Sequence, residues 1–374
     1  MINWKRVTSL SNREKTNTEQ WVRDYNGHQE IFNLDIHYGK KTDLLGLKKD
    51  IIDRIKDKIL YYKESREKLY NTDEKELVTN CPVCDNSSNN TIPKVNIYGA
   101  NYVQCSKCSH VYLKERPSKK SIHNFYLNDI TYASTYTNKK SAESRLEKIA
   151  VPWVNWMIDV YESKFQKKPK KILDIGSGAG HFVEACKRAG LEANGIELNE
   201  SSRKFATDIW GFELDGRDFI EVSKEYSGYD IVTFWGLLEH TPYPKSILNA
   251  TKKVFDGKKD SMVISKVPRW DSLSTAIQRL ESDAIIRHLD PMGHIMAFTD
   301  ESIAELYYQC GFMPSTAWYY GMDVFETFMQ LGNKINQYDH FTNTGQLQIE
   351  LQQFIDEQHF SDGITLVGTP QTDS

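Results

Sequence analysis

Lys170-Lys171-Ile172-Leu173-Asp174-Ile175-Gly176-Ser177-Gly178-Ala179-Gly180-His181-Phe182 is the stretch that decides the fold. A short apolar strand carries one acid and runs into three glycines at alternate positions, after which His181 to Gly190 reads as a helix closed by its glycine. Glycine lets the backbone turn tightly and approach a ligand closely, and the helix start presents unpaired N–H donors. Downstream the alternation repeats. Residues 192–198 read as a strand, Ser201 to Ile209 as a helix, Phe212 to Asp215 as a short strand, 229–236 as a strand, Pro244 to Val254 as a helix and 261–268 as a strand. Such alternation predicts an α/β domain whose doubly wound, mostly parallel sheet is covered by helices on both faces.

The chain has 374 residues, which suits a catalytic-size domain with additions rather than one compact unit. With 39% hydrophobic and 12% aromatic residues a packed core is feasible and wholesale disorder is excluded. A formal charge of −4 offers no general attraction for a polyanion, so nucleic acid is a disfavoured partner. The lysine runs at Lys40-Lys41, Lys48-Lys49 and 167–171 read as solvated faces. Neither a signal peptide nor an apolar run of about 18 residues is evident, so a cytoplasmic protein without a membrane span is expected. Five regions follow from composition. Residues 1–77 form a helical N-terminal segment built on an amphipathic pattern from Leu44 to Tyr70, and 78–115 a cysteine module. Residues 116–166 form a helical linker or lid. The α/β domain spans 167–330, with an insertion at 269–297 read as a second lid, and 331–374 supply a C-terminal helix and strand.

Around the glycine turn the acids are informative. Asp174 suits a cationic amine better than a pyrophosphate, and Glu197 ends the next strand about twenty residues on, placed to accept both hydroxyls of a ribose. Asp218 is expected to accept an adenine amino group and Phe219 to flank the base; Trp235-Gly236-Leu237-Leu238-Glu239-His240 follows a later strand. These motifs, with the late Ala297-Phe298-Thr299-Asp300 run, resemble the class I S-adenosylmethionine-dependent methyltransferases, in the branch of ubiquinone-biosynthesis O-methyltransferases and sugar methyltransferases. The resemblance covers roughly residues 170–315. It implies a Rossmann-like sheet of seven strands and a cofactor, S-adenosylmethionine, contacted by Asp174, Gly176, Ser177, Gly178, Gly180, Glu197, Leu198, Asp218, Phe219, Trp235 and Gly236. Tyr126 and Tyr132 are similar to an aromatic segment that closes over the cofactor in related enzymes.

Methyl transfer needs alignment, exclusion of water and a base where the acceptor carries a proton. Glu239 and His240 follow the strand beside which an acceptor lies, and His240 has a titration range suited to a base. In the ubiquinone enzymes a metal-binding E-x-x-E-H pattern occurs here; Gly236 replaces its first acid, which puts a catalytic magnesium in doubt. His288 and His294, in the insertion, are further base or acceptor-binding candidates, with Asp290 placed to orient either ring.

Cys81-Pro82-Val83-Cys84 and Cys105-Ser106-Lys107-Cys108 are two C-x2-C knuckles twenty residues apart, the spacing of a closed four-thiolate zinc site with a structural role. Iron in a rubredoxin-like site is the minority reading, His110 is disfavoured as a substitute ligand, and Cys186 and Cys310 read as buried thiols. An N-terminal C-x2-C pair before such a domain also looks like the architecture of deoxysugar C-methyltransferases, without their C-terminal domain. The expected activity is methyl transfer to a small polar metabolite or sugar-containing precursor, by a monomer or homodimer. Two other readings stand: methylation of protein or RNA gripped by a basic, aromatic face at Lys94, Tyr98, Tyr102, Lys107 and Lys114, and a non-catalytic nucleoside-binding scaffold.

Overall fold

The computed structural model describes residues 2–6, 18–40, 55–71, 74–118, 120–121, 137, 139–280, 286–337 and 344–371. In chain order its strands are β1 (Ile2–Arg6), β2 (Thr18–Tyr25), β3 (His28–Tyr38), β4 (Lys75–Leu77), β5 (Thr91–Ile97), β6 (Ala100–Cys105), β7 (Val111–Leu113), β8 (Glu115–Pro117), β9 (Lys171–Ile175), β10 (Glu192–Ile196), β11 (Ile231–Trp235), β12 (Met262–Pro268), β13 (Met296–Ala297), β14 (Phe312–Tyr319) and β15 (Gly363–Pro370). Nine of them form one sheet in the order β1-β2-β3-β14-β15-β12-β11-β9-β10. The strands β10, β9, β11 and β12 run parallel, and β15 is antiparallel to both β12 and β14. The expected seven-strand core is there, with the strand near Asp215 reduced to a single parallel bridge to Ile196.

Alternating residues of these strands feed two apolar layers, as a doubly covered sheet requires. Leu173, Ile175, Val232, Phe234 and Val263 face helices Pro244–Phe255 and Asp300–Gln309. Ile172, Ile231, Met262 and Ile264 face helices Val151–Phe165 and His181–Arg188. The first of these, Val151–Phe165, continues through a π-helical turn at Leu146–Ala150 from a short helix at Ala142–Arg145.

The N-terminal segment corrects the helical expectation for 1–77. Residues 2–38 make the three strands β1–β3, and β3 pairs in parallel with β14, extending the sheet. They are held by long-range polar contacts: Trp4 Nε1 and Arg23 Nε each donate to buried Glu305, at 3.0 and 2.9 Å. Of the amphipathic helix expected from Leu44 to Tyr70, the part Ile55–Tyr70 is observed, and residues 41–54 lie outside the described ones.

The cysteine module is a small sheet, β13-β7-β6-β5, whose last strand is lent by the α/β domain: Met296 pairs with Tyr112 and Ala297 with Val111. Its core is continuous with that of the large domain. Within the insertion at 269–297, the described residues 269–280 and 286–297 pack against the domain. Trp270, Leu289 and Met292 are buried, helix Leu273–Gln278 is capped by Ser272, and Leu113 N donates to Ile295 O.

Candidate active site

Gly176, Gly178 and Gly180 all take positive φ, at 73°, 52° and 76°, so each holds a backbone that other residues adopt only with strain. Gly176 N and Ser177 N donate to Ile196 O, which locks the turn against the next strand. A Cβ on Gly176 would sit 3.0 Å from Leu237, whereas one on Gly178 would meet nothing within 4 Å. The loop is tight on its inner side and open above Gly178. There Glu197 places one oxygen on Gly178 N at 2.8 Å and the other on Asn199 N at 2.7 Å. A carboxylate keeps further lone pairs for two hydroxyls. Asp174 is buried beneath the loop, accepts from Thr233 Oγ1 at 2.7 Å, and has its carboxyl pushed up to about 7, chiefly by that burial.

Asp218 caps helix Phe219–Val222 by accepting from Ile220 N at 2.8 Å. Phe219 departs from its expected place beside a base: it is 4% exposed and meets Phe234 edge-on at 6.3 Å, because the helix it opens turns that ring into the core. Leu198, by contrast, is exposed at the rim. Trp235 stacks on Trp153 at 4.4 Å and 8°, with Phe182 against it at 5.2 Å. Tyr126 and Tyr132 lie outside the described residues.

Glu239, His240 and His294 converge, one ligand atom from each lying within 4.8 Å of the others. His240 and His294 meet edge-on at 4.8 Å, and His240 Nε2 is 3.9 Å from Glu239 Oε1. Gly293 makes room, since a Cβ there would stand 3.1 Å from His240 Cε1. Glu239 Oε2 is buried with no hydrogen-bond partner, and burial raises the carboxyl. His294 Nδ1 is engaged with His288 O at 3.1 Å, which leaves Nε2 toward the cluster, and burial holds its pKa well below the usual histidine range. Two imidazoles and a carboxylate fit zinc, iron(II) or manganese better than magnesium, so the residues suit a divalent transition metal with open positions. His294, from the insertion, is the third possible donor beside Glu239 and His240.

His288 and Asp290 correct their expected roles. His288 is 3% exposed, lies behind His294 and faces Asp362 at 3.7 Å. Asp290 is taken by Arg66 from helix Ile55–Tyr70 in a bidentate pair at 3.0 and 2.9 Å, so it fixes the loop backbone rather than an imidazole ring. Tyr70 and Tyr102 add hydroxyl contacts to Pro291 O and His294 O. Lys40, Trp153, Lys266 and Tyr320, which the sequence reading did not single out as site residues, line the same rim of the sheet. A lysine inside the apolar run Met262-Val263-Ile264-Ser265-Lys266-Val267 was the legible signal for one of them.

All four knuckle cysteines are buried and free of disulfides, with Sγ–Sγ separations of 3.6 Å for Cys81–Cys108 and for Cys84–Cys105. A tetrahedral zinc with bonds of about 2.3 Å has sulfur–sulfur edges of about 3.8 Å, so the donors fit that ion. His110 is fully buried against Met296 and Ser302, away from the shell's role. Cys186 and Cys310 are buried as expected.

Residues 157–314 match the model of a family described as a methyltransferase domain. The ubiquinone biosynthesis O-methyltransferase of Bordetella avium (strain 197N) is 38% identical over 88 residues, 22% of this chain and 36% of the relative. That of Bordetella parapertussis is 34% identical over 113 residues, 28% of this chain and 42% of the relative. A solved S-adenosylmethionine-dependent methyltransferase from Archaeoglobus fulgidus is 17% identical with a TM-score of 0.39, covering 62% of this chain and all of that one. The matched stretch is a methyltransferase domain. The chain spans about two fifths of the length of the curated relatives it matches.

Proposed function

We propose that the protein transfers a methyl group from S-adenosylmethionine to a small polar metabolite or a sugar-containing precursor. The observation that carries this reading is the open face above Gly178, framed by the Glu197 carboxylate and by Asp174, with Glu239, His240 and His294 across the strand ends. Glu197 would take the ribose hydroxyls and Asp174 the methionyl ammonium, whose charge compensates the burial of that acid. Leu198 and the Asp218 turn would border the adenine. His240, backed by Glu239, would accept the acceptor's proton as the methyl carbon moves in line from sulfur, and Trp235 and Trp153 would keep water away. With a divalent cation held instead by Glu239, His240 and His294, His240 would be a ligand rather than the base, and the cation would supply Lewis acidity toward an acceptor oxygen. Zinc at the four cysteines would be structural.

Methylation of a gripped protein or RNA finds less support. Tyr98 and Tyr102, expected on a gripping face, are buried, and the module spends its edge strand β7 on β13. No helix among the described residues is long and apolar enough to cross a membrane. Calorimetry with S-adenosylhomocysteine, followed by labelled methyl transfer into extract fractions, tests the proposal. Binding, with label in small molecules or glycans that His240→Ala abolishes, is the expected result. Absence of binding, or label confined to macromolecules, would overturn it.

A further inference from the structure

From the carboxyl ends of β11 and β12 a cross-strand row with aromatic ends, holding one lysine and one threonine, continues into β15 and β14. The register runs Trp235 opposite Lys266, Lys266 opposite Thr365, and Thr365 opposite Trp318. Lys266 therefore projects into the layer that holds Trp156, Trp318 and Tyr320. A second lysine, Lys40, enters from the chain just after β3. Its Nζ lies 4.9 Å from the centre of the Trp153 ring and 5.7 Å from that of Tyr320, while Lys266 Nζ lies 5.3 Å from Tyr320 on its own side. Both ammonium groups flank one phenol ring. Lys40 Nζ has the Ile149 carbonyl at 3.3 Å, and Lys266 feels Asp362, Glu239 and Asp323 without an ion pair to any of them.

The neighbouring polar atoms are donors too. Trp235 Nε1 is buried without a hydrogen-bond partner, and Trp153 Nε1 and Thr365 Oγ1 stand near the buried Tyr320 hydroxyl without forming a well-aligned hydrogen bond to it. Burial and the Lys266 charge push Lys40 down to about 7, and burial lowers Lys266 as well, against the opposing pull of Asp362, Glu239 and Asp323. A chain does not gather converging donors and two cations in an aromatic pocket for stability, because unpaired buried groups each cost free energy. What Lys40 and the indole N–H of Trp235 lack is a directly bound anion.

Resting on the methyltransferase reading of the adjoining loop, we infer that Lys40, Lys266, Trp153 and Tyr320 form an oxyanion subsite that holds a carboxylate or phosphate group during the reaction. That group belongs either to the acceptor or to the methionyl end of the cofactor. In the first case the acceptor is an anionic small molecule, such as a sugar phosphate or a carboxylic acid, with its ring against the Trp153–Trp235 stack.

The experiment uses the full chain and its Lys40→Met, Lys266→Met and double variants. Calorimetry is run with three probes: S-adenosylhomocysteine, 5′-methylthioadenosine, which lacks the carboxylate, and inorganic phosphate added to the S-adenosylhomocysteine complex. An acceptor subsite predicts that phosphate binds the parent chain and weakens about tenfold or more in each variant, the scale of one charge-assisted hydrogen bond, with both nucleosides unaffected. A cofactor subsite predicts that S-adenosylhomocysteine weakens by that factor and 5′-methylthioadenosine does not. Lys40→Arg and Lys266→Arg are expected to retain binding, and the methionine variants to melt no lower than the parent, since a repelling pair has been removed. The inference is overturned if no oxyanion probe responds to the double variant, or if 5′-methylthioadenosine weakens in step with the others. Failure of the parent chain to bind S-adenosylhomocysteine would count against the proposed function instead; phosphate is then titrated alone, and lysine-dependent binding upholds the subsite while its absence overturns it.

Discussion

The loop that presents His294 is held shut by an ion pair from outside the methyltransferase domain, and this can be broken selectively. Arg66 has a side chain 2% exposed and grips both oxygens of Asp290, whose side chain is 20% exposed. Asp290 in turn anchors the turn: its Oδ1 accepts from Met292 N at 3.2 Å and its carbonyl from His294 N at 2.9 Å. Breaking a fully buried pair by removing one partner costs about 3–5 kcal/mol. Because water reaches Asp290, Arg66→Met should cost about 2–3 kcal/mol, below that range. Asp290→Asn leaves the buried guanidinium with a neutral partner and should cost about as much. The double variant should cost little more than either single change, which gives a coupling energy of about 2 kcal/mol. Urea unfolding of the four proteins, compared by midpoint at constant slope, reads that number. Repeating the cycle in 0.5 M salt should change it little, because salt screens exposed pairs far more than buried ones. Amide exchange over 286–295 should quicken in both single variants. Additive single costs within about 0.5 kcal/mol would refute the claim that this pair holds the loop.

Gly178→Val should abolish S-adenosylhomocysteine binding while costing the fold only about 1–2 kcal/mol for a left-handed backbone, as calorimetry and thermal melts will show. Gly195→Ala should do the reverse, lowering the melting temperature, since its Cβ would stand 2.3 Å from Ser177 Oγ. Asp174, with its carboxyl held near 7 against an ordinary value of about 3.9, is mostly protonated at pH 6 in the free protein. Binding of the cofactor ammonium should then release close to one proton at pH 6 and almost none above pH 8, measured from binding enthalpies in buffers of different ionisation enthalpy; Asp174→Asn should release none. The folded state binds this proton more tightly than the unfolded one, so the group's contribution to stability is fully present below about pH 4 and is lost as pH rises through 7. The purified chain should carry one zinc per molecule, and Cys108→Ser should lose it, lower the melting temperature and expose amides of β13 as well as of the module.

What could be read from the sequence was whatever depends on local chemistry. The glycine turn, Glu197 and the paired knuckles announce themselves because each needs a particular residue type at a fixed spacing. The strands β1 to β3 do not, since their inward positions include Glu19 and Arg23, whose partners Arg6 and Glu305 come from other elements, and such pairs blur the alternation that marks a strand. One signal was available: Asn26-Gly27, with φ of 53° and 85°, is the tight hairpin turn between β2 and β3. Phe219 was misplaced for a related reason. Its position in sequence matches a base-flanking residue, but the capped helix it begins decides which way the ring turns. The roles of Asp290 and His288 depend on Arg66 and Asp362, more than 70 residues away in each case, and no local pattern carries that information.

The clearest argument for where this protein works is the contrast between two ways it treats buried polar groups. Some are matched in full. Arg269 lies between Asp300, at 2.7 and 3.0 Å, and the carbonyls of His359 and Ser361; Asp230 accepts from the backbone of Lys170 and Lys171. At the carboxyl ends of β11 and β12, Glu239 Oε2 and Trp235 Nε1 are buried without a partner, and the Tyr320 hydroxyl has only imperfectly aligned neighbours in Thr365 and Trp153. A chain able to satisfy an arginine four ways in its core has not failed at packing a few residues further on. Unpaired groups of this kind persist where something outside the chain supplies the missing partner, at the edge of a parallel sheet where α/β folds bind ligands. The donors call for an anion and the Glu239 oxygen for a cation or a proton, so one cleft offers complementary ends for a polar molecule beside the glycine loop.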